Sequence, residues 1–221
     1  MSAKYTINVL IDPSQVEILR KGGFKLCLAK DTNHDVDVIW QAAEPVIKTT
    51  FQWTAEYQVF RASSFTPGAL VSAMSNSVQI ESGQTAVLDK FGVMRPATGI
   101  PDNSGVFFVR NEYGSMFIGI GAAHDGQWSS SYVTRTQSIG ESETALTPVE
   151  TVFLWFYPLV TAGTMFEHTL NGSLRLDLGN DQHTIDLVYT ASGTWVILPS
   201  EQHRDASKGA EIGREAALVA A

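Results

Sequence analysis

An all-β fold, an antiparallel β-sandwich or jelly roll of about twelve short strands, is what three observations predict for this chain. Apolar and polar residues alternate with period two in segment after segment. Turn signals rich in Gly, Pro, Asn and Asp recur every 8–14 residues. No strand–helix–strand alternation of the kind that builds parallel α/β sheets appears.

The elements follow in chain order. Tyr5, Ile7, Val9 and Ile11 alternate with Lys4, Thr6 and Asn8, a first strand with one apolar face. Asp12-Pro13 then opens a short helix near residues 13–21, with Asp12 as cap, Pro13 at the first helical position and Gln15 placed to close a capping box. Gly22-Gly23 ends it. Residues 24–30 and 36–41 read as strands joined by a polar tip. Phe51, Trp53, Ala55, Tyr57 and Val59 form the cleanest alternating strand. Shorter strands are expected at 69–73, 77–81 and 83–88. Residues 89–105 are loop-rich. Strands at 106–110 and 115–120 read as a hairpin around 111–114, and Gly119, Gly121 and Gly126 as a following loop. Residues 130–136 read as a strand, and 151–157, apolar on both faces, as a central one. The set closes with 165–169, 174–178, 184–189 and 194–198, with hairpin turns at Asn171-Gly172 and Ser192-Gly193.

The organisation expected is one β-sandwich domain over residues 1–200, with a half-domain junction at 89–105 if there is one. An Ala- and Glu-rich C-terminal helix or tail follows over 201–221. Hydrophobic residues make up 44% of the 221 residues and charged residues 17%, against ~25% charged in an average globular chain, so a packed core is expected. The net charge of -8 and the lack of a Lys/Arg cluster argue against nucleic acid and anionic membranes as partners. No apolar window is long enough for a transmembrane helix and the N-terminus does not read as a signal peptide, which predicts a cytoplasmic protein, with leaderless release left open. The single cysteine, Cys27, sits in an apolar run and reads as a small buried hydrophobe.

Chemistry-bearing patterns are few. Asp31, Asn33, Asp35 and Asp37 place oxygen ligands at alternate positions, which suits Ca²⁺. The expected glycine and glutamate of an EF-hand are absent, so the plainer reading is a polar hairpin tip. Ca²⁺ is the one cofactor suggested. The five histidines are scattered without zinc spacing, and no nucleophile elbow, phosphate loop or dinucleotide fingerprint occurs, so no catalytic residue is assigned. Aromatic residues remain. Trp40, Trp53 and Trp155 lie inside strong strands and belong to the core. Trp128, in a polar segment, is the first candidate for an exposed ligand contact, with Tyr113, His124, Asp125 and Trp195 beside glycine turns next.

The reading these features favour is a non-catalytic recognition protein, lectin-like or cytolysin-like, that binds a glycan or membrane-lipid headgroup through aromatic-bearing loops. This rests on a fold-level analogy. A structural or self-assembling protein, as a homo-oligomer, is the alternative. An enzyme whose pocket is invisible in sequence is the third.

Overall fold

A computed structural model describes residues 3–167, 172–179 and 182–199. Among these, no helix is long and apolar enough to cross a membrane. Fifteen strands and one helix are present among the described residues, so the chain is all-β. The strands are β1 (Lys4–Ile11), β2 (Phe24–Thr32), β3 (Gln41–Ala43), β4 (Lys48–Ala62), β5 (Val78–Ile80), β6 (Thr85–Leu88), β7 (Met94–Thr98), β8 (Phe107–Asn111), β9 (Phe117–His124), β10 (Gln127–Val133), β11 (Ser142–Leu146), β12 (Pro148–Pro158), β13 (Leu174–Asp177), β14 (Thr184–Tyr189) and β15 (Trp195–Leu198).

They form three sheets. The largest runs β10-β9-β4-β1-β14-β15, with β5 also pairing β4. Two four-stranded sheets run β13-β12-β2-β3 and β11-β8-β6-β7. Most pairings are antiparallel, but β1 with β14 and β6 with β8 are parallel.

The long strand β4 explains the layering. Phe51 and Trp53 of β4 join Ile7, Val9, Leu26, Leu28, Val152 and Leu154 in a core between the large sheet and the β2/β12 sheet. Further along, Val59 joins Ile118, Ile120, Leu88, Phe107 and Val109 in a second core against the β6/β8 sheet. Tyr57 packs against both cores. The two smaller sheets therefore lie side by side on one face of the large sheet, and β4 passes beneath the seam between them.

The helix α1 (Pro13–Lys21) forms where its caps predict. Asp12 accepts from the Ser14 amide and Leu19 is its buried residue. Gln15 does not close a capping box: its amide reaches the Ala191 carbonyl at 2.7 Å, because the β14–β15 turn lies against the helix start.

Several strand assignments shift. Residues 36–40 carry only an isolated bridge, from Val38 to Met165, and 69–73 likewise form isolated bridges. The segment 89–105 is not wholly loop, since β7 lies inside it and pairs with β6. The strands β8 and β9 do not pair as a hairpin: β8 pairs with β11 and β6, and β9 with β4 and β10, in different sheets. Gly119 and Gly121 are not in a loop but inside β9. They face Phe60 and Gln58 across the ladder, and a Cβ on Gly119 would come within 2.2 Å of the Phe60 ring. Glycine there marks close approach of a neighbouring side chain within a strand. The expected hairpin of 165–169 with 174–178 and the C-terminal helix or tail over 201–221 fall partly or wholly outside the described residues.

Candidate functional site

Two irregularities build the site. On β4, Trp53 lies opposite His124 and Tyr57 opposite Ala122, so the register slips across residues 54–56. On β12, Pro148 lies opposite Thr32 and Val152 opposite Lys30, so it slips across residues 149–151. Such bulges leave residues unpaired and re-aim side chains. The β4 bulge turns Ala55 and Glu56 outward, and the β12 bulge points Glu150 into the seam between the smaller sheets.

A cleft of about 690 Å³ opens there, within the usual range of small-molecule sites. Tyr57, Phe107 and Trp128 are its aromatic lining, Glu56, Glu81, Asp102 and Glu150 its carboxylates, and Gln79, Gln84 and Asn103 its amides. Among the described residues, no Lys, Arg or His lines it.

Glu150 is the centre of the floor. Its Oε2 accepts from Lys30 Nζ at 2.8 Å and from Trp53 Nε1 at 2.6 Å, and its Oε1 accepts from the Tyr57 hydroxyl at 2.6 Å. Lys30 is fully buried, and its ammonium lies 5.1, 5.4 and 5.2 Å from the ring centroids of Trp40, Trp53 and Tyr57. This is cation–π geometry on three faces, closed by a carboxylate. Burial works against the charge on Glu150, yet the Lys30 ammonium and the three donors outweigh it and hold the carboxyl below its ordinary value. Burial pushes Lys30 down, with Glu150 opposing, and pushes the Tyr57 hydroxyl well up. Glu150 is thus an ionised acceptor and Tyr57 a neutral donor at neutral pH.

The mouth is organised separately. Asp102 Oδ1 accepts from the Ser104 hydroxyl at 2.7 Å, the Ser104 amide at 2.9 Å and the Ser82 hydroxyl at 2.8 Å, which hold its carboxyl low. Gln84 is occupied at both ends, accepting from the Glu81 amide and donating to the Gly99 carbonyl.

The residues singled out from sequence divide. Trp128 lines the cleft, but from a strand: it is half-buried in β10, paired with Ala123. Its polar neighbours had suggested a loop, but Asp125 and Gly126, at φ 47° and 72°, make a two-residue turn so tight that β10 starts at Gln127. His124 is half-buried, edge-on to Trp40, with Nε2 2.8 Å from Ser129 Oγ; burial lowers its pKa. Asp125 is exposed on the turn. Tyr113 stands apart, under the Arg61 guanidinium at 4.8 Å. Trp195 stacks on Phe156 at 5.4 Å and meets Tyr189, as packing beside the first core. None of these four lines the cleft.

The oxygen-rich tip has other partners. Asn33 and His34, at φ 55° and 65°, form a turn between the bridged residues Thr32 and Asp35. Asn33 donates to the Ala145 carbonyl and accepts from the Thr147 amide. Asp37 is fully buried and paired with Arg135. Asp31 is buried, which raises its carboxyl pKa, and Asp35 is half-buried. Among the described residues, no three His, Cys, Asp or Glu side chains form a group that could hold a metal ion. Cys27 is buried as expected, and burial pushes its thiol up to about 12.

Sequence reasoning missed Lys30, Glu150 and Tyr57. One signal was available: Lys30 ends the apolar run 24–29 and Glu150 interrupts the apolar stretch 148–156. A lone charge inside an apolar strand has to find a partner when the strand is buried. No protein-family model, curated protein or solved structure matches the chain, so a functional reading rests on the site's chemistry.

Proposed function

We propose that the protein is a non-catalytic recognition protein that holds a neutral glycan in the cleft between its two smaller sheets. The observation that carries this reading is the composition of the lining: Trp128, Tyr57 and Phe107 beside carboxylates and amides, with no cationic side chain among the described residues. Aromatic faces pack on the C–H surfaces of sugar rings, while carboxylates and amides take up their hydroxyls. Four carboxylates repel a phosphate, sulfate or sialic acid. A phospholipid headgroup is thereby disfavoured, whereas the sugar headgroup of a neutral sphingolipid carries the same chemistry as a free glycan.

A broad array of neutral and acidic glycans, probed with and without calcium, tests this. Selective binding to a few related neutral glycans, lost on Trp128→Ala, is the expected result. A blank array, or binding confined to acidic glycans, overturns the reading.

Self-assembly is favoured by a different observation. Among the described residues β15 is an edge strand, and Val196 and Ile197 on it are 44% and 51% exposed. An exposed apolar edge templates pairing with another chain. Light scattering of the full chain and of Ile197→Lys decides it: a mass above the 24.1 kDa monomer that falls on substitution supports an oligomer through this edge.

A further inference from the structure

We propose that Glu150 is the anchor of the cleft's ligand, accepting a hydroxyl hydrogen at the floor, and that Lys30 is a positioning residue which keeps that acceptor ionised and in place. This rests on the reading of the cleft as a glycan site. A carboxylate offers about four acceptor positions. Three on Glu150 are filled, two on Oε2 by Lys30 and Trp53 and one on Oε1 by Tyr57. The remaining position is on Oε1, and the side chain keeps 13% exposure, on a residue that lines the cleft. The anchor is held from two sheets at once: Lys30 reaches it from β2, and Trp53 and Tyr57 from β4. A hydrogen bond to an ionised acceptor in such a rigid setting is short and strong. It also selects: a ligand group must donate here, so a hydroxyl or amine is accepted, and an ether or carbonyl oxygen in that place is refused.

Lys30 cannot touch a ligand, because it is fully buried and is not among the residues lining the cleft. Its part is electrostatic. The other groups facing Glu150 are Tyr57 and Tyr5, both neutral because burial raises their hydroxyls, and Glu56, Glu81 and Asp102 further out on the cleft lining. None of these supplies positive charge. Without the Lys30 ammonium, burial is opposed only by the Trp53 and Tyr57 donors, so the carboxyl of Glu150 takes up a proton at higher pH than in wild type and on doing so turns from acceptor to donor.

The experiment measures binding of the full chain to an array of neutral oligosaccharides, then titrates the best of them against wild type, Glu150→Gln, Glu150→Asp and Lys30→Met between pH 5 and 8. Each variant's fold is checked by thermal melting. Wild-type affinity is expected to be flat across this range. Glu150→Gln and Glu150→Asp lose about tenfold or more. Lys30→Met binds weakly at pH 5 and recovers as pH rises, a profile that a purely structural role would not produce. Folded Glu150→Gln or Glu150→Asp that binds as wild type overturns the anchor and leaves the glycan reading standing. A flat profile in Lys30→Met overturns its positioning role. If Glu150→Gln does not fold, Glu150→Asp and the Lys30→Met profile decide. A wild type that binds nothing on the array overturns the glycan reading and the anchor with it.

Discussion

Two ion pairs among the described residues bury one partner completely, and they are arranged in opposite senses. In Lys30–Glu150 the cation is fully buried and the carboxylate, 13% exposed, faces a cleft. In Arg135–Asp37 the carboxylate is fully buried and the guanidinium, 27% exposed, reaches toward solvent past Phe65, which it overlies at 5.4 Å. Arg135 Nε donates to Asp37 Oδ1 at 2.7 Å, and neither residue lines the cleft. Burying an ion costs several kcal/mol unless it is well paired. Each pair therefore holds its neighbours in register. What differs is which partner remains accessible, and only the first pair turns an acceptor toward this cleft.

The largest effect expected is from Glu150→Ala, which strands the Lys30 ammonium among three rings. Loss of about 3–5 kcal/mol of stability should appear in urea unfolding. Lys30→Met should cost distinctly less, because Glu150 keeps Trp53 and Tyr57 and has a route to water. Equal losses for the two variants would break the comparison.

Arg135→Ala comes next, at about 2–3 kcal/mol, since it removes the cation beside a fully buried carboxylate. Its ligand binding should equal that of wild type. A change in binding would mean that the second pair also communicates with the cleft. Trp128→Ala should show the reverse: stability within about 1 kcal/mol of wild type and glycan affinity down about tenfold.

The smallest effect is in pH dependence, where the sign is informative. The carboxyl of Glu150 is held below 4.5. An acid depressed on folding contributes stability that is complete above its unfolded value and lost as pH falls through its folded value. Wild type should therefore weaken on acidification below about pH 4.5 from this group. In Lys30→Met the carboxyl is raised by burial, the folded state binds the extra proton, and stability should instead rise as pH falls toward that of the unfolded acid. Urea titrations from pH 7 to 3 on both proteins would reveal the inversion.

Much of the first core was legible in the sequence. Ile7, Val9, Phe51, Trp53, Val152 and Leu154 follow from alternation and apolar runs, and all are buried. The helix followed from Asp12, Pro13 and the paired glycines. Local pattern carries such features because capping and strand alternation depend on neighbours in the chain. Trp128 stood out in the sequence and lines the cleft, but the strand that carries it was hidden by a tight Asp125-Gly126 turn. The β8–β9 hairpin failed for a related reason: a turn sequence shows that the chain reverses, not which strand it pairs with next.

What the sequence by itself determined is the all-β class, the position of the helix and the apolar faces, because each depends on spacing along the chain. What tertiary structure alone decided is the meeting of Lys30, Glu150, Trp53 and Tyr57. Residues 30 and 150 are brought together by the pairing of β2 with β12, in which Lys30 lies opposite Val152 and Glu150 is aimed by the bulge between Pro148 and Val152. Strand partners are chosen by the burial of whole faces, a sum over distant residues that no local pattern records. The site lies at the seam that this choice creates.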